Sequence, residues 1–160
     1  MRDGFVKVAA ATLNTKVADV EHNKWEIFRL IDETIENGAK IVVFPELCIT
    51  GYTCGDLFSQ DILLSQSAKA LEEIAAYTTG KDGLFFVGLP YVVCNKLYNV
   101  AAAVCDGEVI GMVTKTFLPN YSEFYEMRQF QPGPKKADWI PYGEEEIPFG
   151  PQILFACEEL

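Results

Sequence analysis

The chain has 160 residues, of which 49% are hydrophobic and 12% aromatic, so it is long and apolar enough to bury a sizeable core as one domain. Its 23 acidic residues outnumber its 13 basic ones and give a formal net charge of -10, which argues against a nucleic-acid partner. No apolar run approaches the roughly 20 residues that span a bilayer, and the N-terminus lacks a basic-plus-apolar signal pattern. We therefore predict a cytoplasmic protein with no membrane partner.

The cysteines and the single histidine limit the possible chemistry. The five cysteines are odd in number and lie mostly in apolar stretches, unlike a disulfide framework, so reduced thiols are expected. No two have CxxC spacing, which argues against a zinc site. His22 falls on a predicted helix and is expected at its surface or end, which disfavours a Cys-His hydrolase. The sequence thus predicts no metal site.

The first part of the chain predicts a βαβ unit. A strand over 4–13, a helix over 19–37 and a strand over 40–44 follow one another with short joins, so the two strands are expected to be parallel. Asp19 is a plausible cap for the helix, and Gly38 its stop. This pattern is typical of an α/β domain.

The later part predicts a second helix and several strands. The helix is expected over 57–77, after a turn-rich loop. Further strands are expected over 84–90 (ending at a proline), 91–94, 97–105, 109–114 and 153–156, with a tight hairpin turn at 105–108 and a polar connection over 132–143. The sheet is therefore predicted to mix parallel and antiparallel pairs, with no internal domain boundary.

An apolar run stops abruptly at a carboxylate near the middle of the chain. Residues 41–44 are β-branched or aromatic, which predicts a central strand buried on both faces. Pro45 ends the pairing, so Glu46 is expected just past the carboxyl end of this strand, where such sheets carry their chemistry. Apolar neighbours predict a partly desolvated carboxylate, suited to accept a proton near neutrality. The alternative is a strand-end glutamate in a structural ion pair.

Two further functional groups stand at predicted strand ends. Lys115 leads into a loop dense in aromatic residues, where its charge is suited to stabilising an oxyanion; the alternative is a solvated or salt-bridged lysine. Cys157 follows the last predicted strand, where an isolated cysteine would favour inert packing. A thiol with a pKa of about 8.5 needs a base or a positive charge to become a nucleophile at neutral pH. Glu46 is a candidate for the base and Lys115 for the charge.

These segments resemble, in the same chain order, three motifs of the nitrilase-like carbon–nitrogen hydrolases. The motifs are Phe44-Pro45-Glu46-Leu47, Lys115 before Leu118-Pro119-Asn120-Tyr121, and Cys157-Glu158-Glu159-Leu160. Residues 46–52 and 118–126 further resemble the glutaminase domains of glutamine-dependent NAD+ synthetases. The resemblance implies a four-layer αββα sandwich that dimerises through helices into homo-oligomers, with a catalytic triad of Glu46, Lys115 and Cys157.

The same resemblance implies a substrate and a partner domain. Tyr52 and Tyr121 would line a glutamine pocket, Glu158 would bind the glutamine amine, and Glu123 would match the extra glutamate that many members place beside the lysine. Ammonia would pass to a synthetase domain of the same full-length chain. ATP and Mg²⁺ would bind in that domain, so no cofactor is expected within these residues.

The family pattern continues beyond Cys157 with further strands and helices. The sequence therefore predicts a single partial hydrolase domain over 1–160, with the rest of that domain and the synthetase domain absent. A partial sheet of this kind is expected to have an unpaired edge and an exposed apolar face. Two alternatives stay open, a stand-alone nitrilase-family amidase with the same triad and a non-catalytic scaffold.

Overall fold

The computed structural model describes residues 4–157, which form one mixed β-sheet with two α-helices. The strands are β1 (Val8–Ala10), β2 (Ile41–Val43), β3 (Leu84–Val93), β4 (Lys96–Cys105), β5 (Glu108–Thr114), β6 (Asp138–Tyr142) and β7 (Glu145–Gly150). The helices are α1 (Val20–Glu36) and α2 (Asp61–Tyr77), and two short 3-10 helices span Gly55–Ser59 and Glu126–Arg128.

The sheet has the strand order β1-β2-β3-β4-β5-β7-β6. β1, β2 and β3 are parallel, β3, β4 and β5 form antiparallel pairs, β5 and β7 are parallel, and β6 returns antiparallel to β7. The predicted βαβ unit and the predicted mixture of pairings are both confirmed. Asp106 and Gly107 form the β4–β5 turn with positive φ angles of 46° and 91°, as a tight hairpin of this kind requires.

The two helices pack together and cover one face of the sheet. The Asp19 carboxylate accepts a hydrogen bond from the His22 amide at 3.1 Å, so Asp19 caps α1 as predicted. The Phe28 ring on α1 stacks on Tyr77 at the end of α2, with ring centroids 4.1 Å apart. α2 in turn lies against β3 and β5. Neither of the described helices is long and apolar enough to cross a membrane.

The two faces of the sheet differ in burial. On the helix-covered face, Phe85 of β3 and Val42 of β2 are completely buried. On the opposite face, Val8 and Val43 keep 64% and 48% of their surface exposed, and Phe86 beside Val43 is half-buried. The described residues thus supply one helix layer and one sheet, with an open apolar face on the far side of that sheet.

Pro90 lies inside a strand, although the sequence predicts that it ends one. β3 continues through Pro90 to Val93, so the predicted strand end at Pro90 and the separate strand over 91–94 are wrong. β2 pairs only with Leu84–Phe86, so Pro90 lies beyond that pairing and its missing N–H removes no hydrogen bond to β2.

The strands after residue 137 also differ from the prediction. β6 and β7 form a hairpin that overlaps the predicted polar connection. Pro141 is tolerated because β6 is the edge strand, and Pro148 precedes the two residues of β7 that pair with β5. The strand predicted over 153–156 is not formed. Within residues 4–157, no backbone–backbone hydrogen bond involves 151–157, and a strand requires a neighbour to accept its hydrogen bonds.

Candidate active site

Glu46 lies in a tight turn that follows β2 and rests on β3. The amide of Gly51 donates to the carbonyl of Leu47 at 2.7 Å, and the amide of Ile49 donates to the carbonyl of Gly88 at 3.2 Å. Leu47 and Ile49 are completely buried, whereas 40% of the Glu46 side chain is exposed. The predicted desolvation of Glu46 is therefore not observed, because its apolar neighbours point into the core and the carboxylate points out.

Gly88 is the point at which β3 passes directly beneath this turn. A Cβ atom at Gly88 would stand 2.5 Å from both the Leu47 nitrogen and the Pro45 oxygen, closer than real Cβ contacts allow. Because both of these atoms belong to the backbone, a side chain at this position has to displace the Glu46 turn. Glycine at residue 88 thus determines how closely Glu46 approaches β3.

Gly88→Ala is expected to destabilise the protein by about 1–3 kcal/mol through overpacking and to disturb the Glu46 turn. Thermal unfolding measures the loss of stability. Gly38→Asn is the control, because Gly38 has φ 79° with open space around its Cβ position and asparagine tolerates that conformation. Equal stability of Gly88→Ala and the wild type would show that the turn does not rest on β3 as described.

Lys115 contacts both Glu46 and a second carboxylate, that of Glu126, which is buried. Its Nζ lies 2.6 Å from Oε1 of Glu46 and 2.8 Å from Oε1 of Glu126. The hydroxyl of Tyr52 donates to the same Glu126 oxygen at 2.7 Å. Glu126 is 5% exposed and Lys115 27%, so the cluster runs from the protein interior at Glu126 to the surface at Glu46.

A buried asparagine completes the cluster. The side-chain amide of Asn99 on β4 donates to Oε1 of Glu46, and the backbone carbonyl of Asn99 accepts the Lys115 amide at 2.9 Å. Neither Asn99 nor Glu126 was predicted as a site residue. The one available signal for Asn99 is an amide within the otherwise apolar run 99–105.

The carboxylates keep Lys115 charged and Tyr52 neutral. Burial alone lowers the pKa of Lys115, but its hydrogen bonds to Glu126 and Glu46 outweigh this effect and raise the pKa above its ordinary value. Burial and the hydrogen bond to Glu126 raise the pKa of Tyr52 far above the ordinary value for a phenol. At neutral pH the site therefore offers a fixed ammonium, suited to stabilising a developing negative charge.

The raised pKa values of Tyr52 and Lys115 predict that the protein loses stability in alkaline solution. The pKa of Tyr52 is raised from its ordinary value of 10.0, so its contribution to stability is complete below that pH and declines above it. Lys115 acts in the same direction above 10.5, its own ordinary value. Tyr52→Phe is expected to flatten the fall in free energy of unfolding above pH 10, measured by denaturant titration at several pH values. Tyr125→Phe, at an exposed phenol, is the control, and an unchanged slope in Tyr52→Phe would contradict the prediction.

Two of the other predicted pocket residues, Tyr121 and Glu123, are within the described part of the chain. Tyr121 is exposed, and its ring meets Phe124 edge to face at 5.6 Å between centroids. Glu123 is also exposed, and in the described residues the second glutamate beside Lys115 is Glu126. The reason is local, because Glu126 begins a short helix that turns its side chain inward. Glu158 lies outside the described residues.

Cys157 is not brought to Glu46 and Lys115 in this structure. Phe155 packs on Phe86 of the open sheet face, with ring centroids 5.4 Å apart, and Cys157 is exposed just beyond it. No hydrogen bond or ion pair within residues 4–157 joins Cys157 to Glu46 or Lys115, so the triad stays a prediction.

The cysteines differ in accessibility. All five are free thiols, and Cys48 and Cys54 are buried, whereas Cys94 and Cys157 are exposed. Burial raises the pKa of Cys48 to about 12, so this thiol stays protonated at neutral pH. Across residues 4–157 no group of three or more His, Cys, Asp or Glu side chains has an arrangement that could hold a metal ion.

The mixed sheet and the Glu46–Lys115 pair agree with a hydrolase of carbon–nitrogen bonds, the class indicated by the sequence motifs. A family model described as carbon-nitrogen hydrolase matches residues 7–158, and the chain belongs to this family. The predicted nitrilase-like α/β fold is therefore confirmed.

The similar proteins include glutamine-dependent NAD(+) synthetases. The chain is 35% identical over 157 residues to that of Mycobacterium leprae, with 98% of this chain and 23% of the relative covered. It is 43% identical over 129 residues to that of Aquifex aeolicus, with 81% and 22% covered. The crystal structure of the Cytophaga hutchinsonii synthetase superposes with a TM-score of 0.90 at 33% identity, covering 96% of this chain and 26% of that one. The chain thus spans about a quarter of the length of these relatives.

An amidase from Nesterenkonia sp. also shares the fold. Its crystal structure superposes with a TM-score of 0.71 at 20% identity, covering 92% of this chain and 56% of that one.

Proposed function

We propose that this chain hydrolyses the side-chain amide of glutamine as the glutaminase part of a glutamine-dependent NAD+ synthetase. The observation that carries the proposal is the contact of Lys115 Nζ with Glu46, which is 2.6 Å long. The same Nζ also contacts the buried carboxylate of Glu126. A purely structural lysine needs one carboxylate partner, and Glu126 already supplies it in the buried part of the cluster. A glutamine-dependent synthetase aligns with 98% of this chain at 35% identity, which supports the choice of glutamine as the substrate.

The chemistry follows from three groups. Glu46 accepts the proton of the Cys157 thiol, and the thiolate attacks the amide carbon of glutamine. Lys115 stabilises the oxyanion that forms. Protonated Glu46 then gives its proton to the departing ammonia and leaves a cysteinyl thioester. Water, activated by Glu46, hydrolyses the thioester, which releases glutamate and restores the thiol.

This mechanism requires Cys157 to approach Glu46 and Lys115. In the structure Cys157 is exposed and, within residues 4–157, has no hydrogen bond to either residue. Within residues 4–157, the segment over 151–157 makes no backbone–backbone hydrogen bond. This segment can therefore take a different path without breaking a backbone hydrogen bond to the described residues. We propose that the segment runs toward Glu46 in the active protein.

The proposal extends to the rest of the reaction. Ammonia would pass to a synthetase domain of the same full-length protein, where ATP and Mg²⁺ would bind. Tyr52, Tyr121, Glu123 and Glu158 would contact glutamine or orient the groups that do. The cytoplasmic location, the homo-oligomer and the division of the protein into domains stay predictions.

Covalent labelling tests this function directly. The natural gene product is treated at pH 7 with a diazoketone analogue of glutamine, and the modified peptide is identified by mass. Labelling is expected at Cys157, to be slowed by free glutamine and to be reduced in Glu46→Gln. Cys94, which is also exposed, is the internal control. Equal labelling of Cys94 and Cys157, or no protection by glutamine, would contradict the proposal.

A panel of amides separates glutamine from other substrates. Ammonia release is measured for glutamine, asparagine and simple aliphatic amides at equal concentrations. Glutamine is expected to be the preferred substrate. Preference for an aliphatic amide would instead favour the stand-alone amidase.

A further inference from the structure

Asn99 occupies an unusual position in the candidate site. It is 4% exposed and lies on β4, opposite Pro90 of β3. Its side-chain amide donates to Oε1 of Glu46, and its backbone carbonyl accepts the amide of Lys115 at 2.9 Å. A single buried residue therefore contacts both members of the Glu46–Lys115 pair.

The two oxygens of the Glu46 carboxylate are bound differently. Oε1 accepts hydrogen bonds from both the Asn99 amide and the Lys115 ammonium. Within residues 4–157, no hydrogen bond reaches Oε2. A carboxylate oxygen with two donors is less available to bind a proton, whereas the oxygen without donors keeps its electron pairs free.

We propose that Asn99 is a positioning residue that makes Oε2 the proton-accepting atom of Glu46. The inference rests on the proposed glutaminase function. In the proton transfer the S–H bond of Cys157 breaks, its electron pair stays on sulfur, and an O–H bond forms at Oε2. The same residue holds the backbone of Lys115 through its carbonyl, so the base and the cation are held at a fixed separation.

The chemistry of the amide explains why asparagine suits this position. Its NH₂ group is a neutral donor, so it orients the carboxylate without adding a second positive charge beside Lys115. Aspartate at the same position has no donor when ionised and repels Glu46, and leucine has similar size but no polar atoms. Asn99→Asp therefore removes the hydrogen bond and adds a negative charge, whereas Asn99→Leu removes it without adding a charge.

The test compares Asn99→Leu and Asn99→Asp with the wild type in the natural gene product. The measured quantity is kcat/KM for glutamine between pH 5 and pH 9, with kcat and KM determined separately. Asn99→Leu is expected to lower kcat by about 10- to 100-fold, the usual effect of a lost hydrogen bond to a charged group, with KM little changed. Its acidic limb is expected to move to higher pH, because a carboxylate that loses a donor binds its proton more tightly. Asn99→Asp is expected to move the limb further.

A matched control separates positioning from simple destabilisation. The hydroxyl of Thr78 is buried, bonds the carbonyl of Ala75 at 2.7 Å and accepts the amide of Gly107, near the hairpin turn between β4 and β5. Thr78→Val is expected to lower the unfolding temperature without moving the acidic limb.

Three outcomes decide against the proposal. An unshifted acidic limb in both Asn99 variants, or an equal shift in Thr78→Val, overturns the positioning role while the glutaminase function stands. A wild-type protein that releases no ammonia from glutamine overturns the function and the inference together. Should Asn99→Leu fail to fold, Asn99→Asp, which keeps the size of the side chain, decides the question by its pH profile.

Discussion

Cys157→Ala in the natural gene product is expected to lower glutamine-dependent NAD+ synthesis by at least about 10⁴-fold, as removal of a catalytic nucleophile does. Synthesis from free ammonia is expected to continue at the wild-type rate, because ammonia bypasses the amide hydrolysis that requires the thiol. Parallel assays with glutamine and with an ammonium salt measure the two activities. The variant should also keep its stability, because Cys157 is exposed.

Cys94→Ala is the matched control for this experiment. Cys94 is likewise an exposed free thiol, but it lies in the turn between β3 and β4. It is expected to leave both activities unchanged. Loss of the ammonia-dependent activity in Cys157→Ala would contradict the division of labour between the two domains, and retention of glutamine use would remove Cys157 from the mechanism.

The position of Glu46 was predictable because its signals are local. An uninterrupted apolar run followed by Pro45 indicates a strand and its end, and β2 indeed ends at Val43. The predicted burial of this strand on both faces is wrong, because 48% of the Val43 surface is exposed on the open face of the sheet. The Lys115 position was predictable for a similar reason, since the β4–β5 hairpin is specified by its turn residues and β5 ends at Thr114. That Glu46 and Lys115 act together was suggested by their positions at predicted strand ends and by the family resemblance, and by neither segment alone.

The remaining contacts of the site depend on tertiary structure. Asn99 meets Glu46 across 53 positions of the sequence, and Tyr52 meets Glu126 across 74. Composition and periodicity predict which elements form, but they do not rank Glu123 against Glu126 as the neighbour of Lys115. That choice depends on a short helix of three residues, which has no distinctive pattern of its own.

The errors in the predicted strands arise at Pro90 and in the segment over 153–156. Pro90 interrupts a strand only where a neighbouring strand needs its N–H, and β2 is too short to reach it. Residues 153–156 have the composition of a strand, but composition does not supply a pairing partner. The structure places Phe155 of this segment on the open apolar face, against Phe86, and leaves Leu154 exposed.

Lys115→Met is expected to reduce both activity and stability. Removing a cation that faces the oxyanion is expected to lower glutamine hydrolysis by about 10²- to 10³-fold, as for the loss of one oxyanion donor. The same change leaves the buried Glu126 carboxylate beside Glu46 without its counter-charge, and breaking a buried ion pair on one side costs about 3–5 kcal/mol. Ammonia release and denaturant unfolding at pH 7 measure the two effects.

The double variant Lys115→Met with Glu126→Gln separates these two roles of the lysine. A neutral amide at residue 126 no longer needs a counter-charge and still offers an oxygen to the Tyr52 hydroxyl, so most of the lost stability is expected to return. Activity is expected to stay low, because no cation replaces Lys115 near the reacting amide. Recovery of both properties would show that Lys115 serves only to neutralise Glu126, and the oxyanion role would then be lost. Recovery of stability alone assigns the buried contact to the fold and the exposed contact with Glu46 to catalysis.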